Sequence, residues 1–405
     1  MKKVLLVFLL FFIRVSLVSQ ITIRGEVTTF TNEVLEGASV YLNNTTIGTS
    51  TNNLGEFELK IPNGNYDLTV SFIGYKTAQF KIEKDAKVGF LNIKLRVNSN
   101  VLEEVNLVKT KYNSRWRRNL SRFKTTFFGR TKLASNCKFL NPKTLHFNYN
   151  KKTDVLTATA RDPLKIEHKG LGYLITYDLV DFKLERERIS YLGYTKYQKL
   201  KGSKRDQKKW KANRLEAFNG SRMHFVRSLR NKTLKQEGFV VNQFMRVENK
   251  ERPSEKEIEI ARKIVKFNGS VNPKNKVFNP RISYSKALSI LRKASLPKEK
   301  DILYKRNVPY RDMIENFEQT IYLKFKDYLS IVYLHEKEEK NYRGATFTFK
   351  SKHNAQTSSM ILLTDKSILD SSGVIINPLD VMVEGYWGFE QFANTLPLDY
   401  QPPKE

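Results

Sequence analysis

Cysteine is all but missing from this chain: Cys137 is the only one in 405 residues. That excludes an internal disulfide and any zinc site built on several thiolates, and it leaves stability to the burial of apolar surface, which a chain this long can supply. Cys137 lies among apolar neighbours in LASNCKFLNP with no His or basic pair patterned to activate it, so a buried, inert thiol is expected rather than a nucleophile. Histidine is nearly as scarce. The five, His146, His168, His224, His335 and His353, share no ligand spacing. His335-Glu336 opens like a zinc-protease motif, but Glu339 stands where the second His would be. G-x-S-x-G and glycine-rich phosphate loops are also missing. No metal, cofactor or catalytic residue is assigned, although carboxylate pairs that meet only in space escape a reading of this kind.

Acidic residues are short as well. Asp and Glu number 41 against 71 Lys and Arg, for a formal charge of +30. The deficit is localised: residues 21–109 hold nine basic and ten acidic residues, the first 20 hold three basic ones, and the chain from Thr110 carries the remaining +28. A field of that size fits an anionic envelope component, such as lipid phosphate or acidic glycan, or an acidic protein partner such as an outer-membrane protein. A lysine-rich solvated surface is the alternative. The apolar run Val4–Ile13, preceded by Lys2 and Lys3 and followed by Ser16 and Ser19, reads as a signal peptide over residues 1–20. It implies export to the periplasm or outer membrane and makes nucleic acid an unexpected partner. No transmembrane segment is expected in the mature chain.

What is present is clearest between Ile23 and Tyr75. Short period-two runs such as Val40–Leu42, Phe57–Leu59 and Tyr66–Val70 are separated by Asn43-Asn44, Asn52-Asn53 with Gly55, and Asn63-Gly64, where positive φ costs little. Val40 and Leu42 are expected to face a core, with Tyr41 and Asn43 facing out. The result is a small antiparallel sandwich. Gly25-Glu26-Val27, Leu35-Glu36-Gly37-Ala38-Ser39-Val40, Asn53-Leu54-Gly55-Glu56-Phe57 and Ile73-Gly74-Tyr75 stand in an order and spacing that resembles the carboxypeptidase regulatory-like domain. The resemblance implies a prealbumin-like β-sandwich over residues 21–97, common at the front of Bacteroidetes envelope proteins, and it brings no catalytic residues. Residues 98–112 read as a linker. Leu102–Val108 is similar to the run that leads into the plug of TonB-dependent receptors, but the remaining length is too short for a receptor barrel of 22 strands at about ten residues each.

Residues 113–405 read as a basic, β-rich α+β domain, so the fold class is mainly β with some α. Its remainder resembles only uncharacterised Bacteroidetes proteins. Ser114–Gly129 has a helical stripe of Trp116, Leu120, Phe123 and Phe127, with Arg115, Arg118 and Arg122 on another face; it is expected to cover a sheet, with Ser114 as its cap. Lys143–Leu200 returns to strand alternation. Lys199–Arg214 reads as a basic loop with Trp210 among its charges, and Ala212–Gly238 as a helix broken at Asn219-Gly220. Glu251–Lys300 is charged and Pro-punctuated, with one short helix at Ser285–Lys293, and strands recur near Glu318–Tyr333, Thr346–Lys350, Ser358–Thr364 and Gly373–Ile376. Tyr386, Trp387, Phe389 and Phe392 suit either a sugar platform or a closing segment buried against a sheet. The candidate anion surface is Arg115, Arg118, Arg122, Lys204, Arg205, Lys208, Lys209 and Trp210. Two functions stand: a non-catalytic envelope protein with a docking sandwich and an anion-binding body, or a glycan or peptide hydrolase with a spatially assembled site.

Overall fold

A computed structural model describes residues 20–83, 88–98, 112–268, 282–318, 320–342, 354–370 and 372–403. The expected signal peptide up to residue 19, most of the linker and the expected strand at Thr346–Lys350 lie outside them. Gln20 already begins β1 (Gln20–Thr29).

Alternation builds the first module. β2 (Ser39–Leu42), β3 (Gly48–Ser50), β4 (Glu56–Pro62), β5 (Tyr66–Ser71), β6 (Ala78–Ile82) and β7 (Leu91–Leu95) join β1 in two sheets, ordered β4-β1-β7 and β3-β2-β5-β6. Ile23, Val27, Val40, Leu42, Leu59, Ile61, Leu68, Val70 and Ile93 fill the space between the sheets. One inward-outward expectation fails: Tyr41 is as buried as its neighbours, at 1% exposed. It points away from the sandwich core and is covered by the rest of the chain, with the Lys196 ammonium 5.6 Å from its ring centre.

The next core is organised by α1 (Ser114–Phe128), which Asn113, not Ser114, caps by accepting from the Trp116 N–H. The aromatic stripe faces a six-stranded sheet of β8 (Cys137–Phe139), β9 (Leu145–Asn150), β10 (Val155–Ala160), β11 (Leu164–His168), β12 (Tyr173–Glu185) and β13 (Arg188–Lys199). β12 and β13 form one long hairpin, and the other edge of β12 is shared by β11 near its start and β10 near its end. Phe123 lies 5.4 Å from Phe127 and 4.5 Å from Phe182, centre to centre. The expected basic loop is instead helix α2 (Lys204–Phe218), opened by a capping box in which Ser203 and Asp206 exchange hydrogen bonds. The break at Asn219-Gly220 is observed, and α3 (Arg222–Arg230) follows.

The third core belongs to a five-stranded sheet, β15-β14-β18-β19-β21, with a small sheet β16-β17-β20 beside it. These strands are β14 (Phe239–Glu248), β15 (Glu299–Lys305), β16 (Ile314–Phe317), β17 (Thr320–Leu323), β18 (Tyr328–Lys337), β19 (Ala355–Leu362), β20 (Ser367–Ile368) and β21 (Val381–Gly385). Gly373–Ile376 contributes only an isolated bridge through Ile375. Between β14 and β15, Glu251–Lys300 carries two helices, α4 (Glu255–Asn268) and α5 (Tyr284–Lys293), with a small core of their own around Ala261, Ile264 and Ala287. The last helix, α6 (Tyr386–Glu390), carries the chain back: Trp387 is buried in the third core, and Phe392 and Leu396 in the second.

Phe123→Ala is expected to lower stability by about 3–5 kcal/mol, because it opens a cavity where four aromatic neighbours meet. Denaturant unfolding of the full chain measures it, and a loss under about 1 kcal/mol would mean that α1 is not seated on the sheet.

Candidate functional site

The tip of the β2–β3 hairpin is where the sandwich meets the body. The Asn44 N–H donates to the Thr195 carbonyl at 2.7 Å and the Tyr197 N–H donates to the Thr45 carbonyl at 3.0 Å, so the hairpin tip occupies part of the outer edge of β13. The C-terminal segment closes over it. The Leu398 N–H donates to the Asn44 carbonyl at 2.7 Å, and the Asp399 carboxylate accepts from the Thr46 N–H at 2.9 Å and from the Thr46 hydroxyl. Thr77 of the sandwich also donates to Asp178 of β12. Arg227 of α3 fixes the segment from behind, donating to the carbonyls of Ser372, Leu398 and Tyr400 at 2.8–2.9 Å.

Two adjoining clefts flank this contact and share Thr46 and Lys199. One, of about 490 Å³, lies between the edge strand β3 (Gly48, Thr49, Ser50) and the end of β13 (Lys196, Gln198, Lys199). The other, of about 330 Å³, is lined by Tyr173, Lys211, Arg214, Pro397, Asp399, Tyr400, Gln401 and Pro403. Lys196 and Lys199 line the first cleft, and Lys199, Lys211 and Arg214 line the second together with Asp399. Burial holds the Lys196 ammonium below its usual pKa range.

α2 supplies the second wall for local reasons. Its buried face clasps the β11–β12 turn: Trp210 Nε1 donates to the Lys169 carbonyl at 2.7 Å, Asn213 to Gly170 at 2.7 Å and Arg214 Nε to Leu171 at 2.8 Å. Gly172 has φ +72° and a Cβ there would come within 2.2 Å of the indole, so only glycine admits this contact. Trp210 is therefore 6% exposed and serves as an anchor, not as a stacking face for a ligand. The Arg214 guanidinium lies 4.3 Å over Tyr173. Lys204, Lys208 and Lys211 recur at i, i+4 and i+7, so the exposed cations of α2, with Arg205 and Lys209 beside them, lead into the cleft.

The arginines of α1 are elsewhere. Arg122 pairs with Asp154 at 3.2 Å and lies over Tyr149, beside the turn that joins β12 to β13; Arg115 and Arg118 are exposed near the helix start. β12 has 13 residues, roughly 40 Å at about 3.3 Å each, and α2 sits at its other end. The structure therefore does not join the two expected groups of cations into one patch. Lys199, Lys211 and Arg214, with Thr46 and Ser50 of the sandwich, line the clefts but carry no motif in the sequence. The capping signature Ser203-x-x-Asp206 was the available signal for α2.

The remaining candidates are structural. Cys137 is buried and its thiol is pushed up to about 12 by burial. His168 is fully buried, with Nε2 on the Ala393 carbonyl at 2.8 Å and Nδ1 accepting from the Leu171 N–H; His224 Nδ1 accepts from the Gly220 N–H and Nε2 meets Glu237 at 3.1 Å. Tyr386, Trp387 and Phe392 are buried, so the aromatic segment closes the fold rather than forming a sugar platform. Among the described residues no three His, Cys, Asp or Glu side chains are placed to hold a metal. A carboxyl group of interest lies where the second and third cores meet: burial, then the charges on Glu336 and Glu339, raise Glu390 to about 8, and burial raises Glu336 to about 7. Glu336 accepts from Gln356 at 3.1 Å and Glu339 from the Lys132 N–H at 3.0 Å.

Comparison with known proteins agrees with the first module. Residues 23–107 match the CarboxypepD_reg-like domain, a β-sandwich family. No curated protein matches the chain. A DUF3823 family protein from Bacteroides ovatus aligns at 10% identity over 45% of this chain and 83% of its own, with a TM-score of 0.16. A Bacteroides fragilis protein of unknown function, described as membrane-associated, aligns at 9% identity over 90% of this chain and 93% of its own, with a TM-score of 0.16. Among the described residues no helix is long and apolar enough to cross a membrane.

Two outcomes follow from this geometry. Asp399→Ala removes the acceptor of the Thr46 N–H, and a loss of about 1 kcal/mol, read as roughly fivefold faster exchange of that amide, is expected; an unchanged rate would mean that the contact is absent in solution. A carboxyl whose folded pKa is raised is harmless below its unfolded value and costs stability as pH climbs through the folded one. The melting temperature is therefore expected to fall from pH 4.5 toward about 8, and Glu390→Gln to flatten that slope; a wild-type slope retained in the variant would clear Glu390 of the effect.

Proposed function

We propose that this is a non-catalytic, exported cell-envelope protein whose sandwich is a docking module and whose basic body binds an anionic envelope component at the junction with that sandwich. The observation that carries the reading is the pair of adjoining clefts lined by Lys196, Lys199, Lys211 and Arg214, with the exposed lysines of α2 leading into them. Such a surface gathers polyanions by long-range attraction and holds them by charge-assisted hydrogen bonds. Export is supported by Lys2 and Lys3 ahead of the apolar run Val4–Ile13.

Hydrolysis is less well supported. A glycosidase needs two carboxyl groups roughly 5–10 Å apart around its substrate. Asp399, the carboxylate of the clefts, already accepts two hydrogen bonds from Thr46. The raised carboxyls Glu336 and Glu390 line neither cleft, and Glu390 is buried between two cores.

Binding of heparin fragments and of vesicles rich in anionic lipid is expected to weaken by tenfold or more between about 50 and 200 mM salt. Lys199→Glu with Lys211→Glu is expected to abolish it, while Arg115→Glu with Arg118→Glu leaves it within about twofold. Calorimetry on the full chain reads both. Salt-independent binding, or loss confined to the α1 variant, would remove the junction from consideration.

A further inference from the structure

We infer that the junction groove takes a linear acidic oligosaccharide, whose sugars carry carboxylate or sulfate groups, gripped by cations of the body on one wall and by a hydroxyl of the sandwich on the other. This rests on the anion-binding reading above and narrows it to one class of ligand.

The groove is long and has two chemically different walls. Its two clefts, about 490 and 330 Å³, meet at Thr46 and Lys199, and each falls within the roughly 300–1,000 Å³ of small-molecule sites. A single phosphate would fill a fraction of one; a chain of a few sugars would run through both. Lys196 and Lys199 border the first cleft and Lys199, Lys211 and Arg214 the second, so cations occur along both, which suits charges repeated along a chain better than one dianion. The opposite wall carries Ser50, which pairs with Ser39 on the face of the sheet turned away from the sandwich core. A hydroxyl both donates and accepts, so it matches the hydroxyls of a sugar, whereas an anion alone calls for donors only.

Asp399 points the same way. A carboxylate placed among cations repels a bare anion, but the lone pairs that Thr46 leaves free on it can accept from the hydroxyls that an acidic sugar also carries. Farther along, Pro403 provides apolar surface for the face of a sugar ring. An acidic peptide is disfavoured, because the first cleft, although it has strand edges on both sides, offers polar lining and no apolar pocket for alternate side chains.

Calorimetry on the full chain with a galacturonate trimer, a heparin tetrasaccharide, inorganic sulfate, a neutral maltotetraose and a glutamate tetrapeptide separates these possibilities. An acidic oligosaccharide is expected to bind at least tenfold tighter than sulfate, maltotetraose or the peptide. Ser50→Ala is expected to weaken the oligosaccharide by about threefold to tenfold and leave sulfate unchanged, while Lys211→Gln weakens every anion. If the Ser50 substitution affects sulfate and oligosaccharide equally, or not at all, the sugar assignment fails and anion binding stands. Tighter binding of the peptide likewise overturns the sugar. Failure of every anion to bind would overturn both readings together.

Discussion

The unpaired outer edge of β13 is the constraint from which the rest of the architecture follows. A twelve-residue strand at the end of a sheet leaves a row of N–H and C=O groups that must find partners or face water. Here a stretch of that edge is met by the hairpin tip of another module, through Asn44, Thr45, Thr195 and Tyr197. That contact explains why Tyr41 and Thr69, paired across β2 and β5 and directed away from the sandwich core, are buried. It also explains why the interface is polar: Lys196, Ser39, Thr77 and Asp178 meet there, while the apolar clusters of sandwich and body remain separate.

A polar contact between two cores needs something to hold it, and the returning C-terminal segment does so. It leaves the third core at Trp387, enters the second at Phe392 and Leu396, and ends against the sandwich at Leu398 and Asp399. Arg227 reads its backbone at two carbonyls and a neighbouring loop at a third, which places one guanidinium where three parts of the chain converge. Pro397 and Pro403 limit the conformations open to the free segment, so less entropy is lost when it docks. The groove exists because this segment and the hairpin tip approach the same strand from two sides.

That origin decides what could be read from the residues. The sandwich was legible because β2 with β3 and β5 with β6 are hairpins marked by Asn and Gly and burial alternates with period two, although β1 pairs with β4 and, in parallel, with β7 across longer separations. α1 was legible because Trp116, Leu120, Phe123 and Phe127 share one face. α2 was not, since lysines at nearly every exposed position hid the capping box and made a helix look like a solvated loop. α4 was missed for a similar reason: Ile258, Ala261 and Ile264 form a narrow stripe in a run dominated by charge. The groove lay beyond reach altogether. Its walls come from residues near 46–50, 196–214 and 397–403, and no periodicity links positions so far apart. Charge did foretell a cationic body, but only the β12–β13 hairpin decided which cations share a surface.

The charge excess acquires a location once the acids are accounted for. Many carboxylates of the third core are held in pairs, as with Glu315 between Lys324 and Lys366, or Asp301 and Glu384 around Arg246. Others are withdrawn from solvent, as with Glu390. α2 has six basic residues and two acids, and of those Asp206 is engaged by Ser203 and Glu216 lies beyond Arg214, past the end that opens on the groove. With few carboxylates nearby to answer them, Lys204, Lys208 and Lys211 project a field that converges on Lys199 and Arg214. An excess spread evenly over the surface would only aid solubility. Here part of the excess lies beside a recess, where low-dielectric walls focus it and a bound anion would lose less of its attraction to screening by salt than it would on an open face.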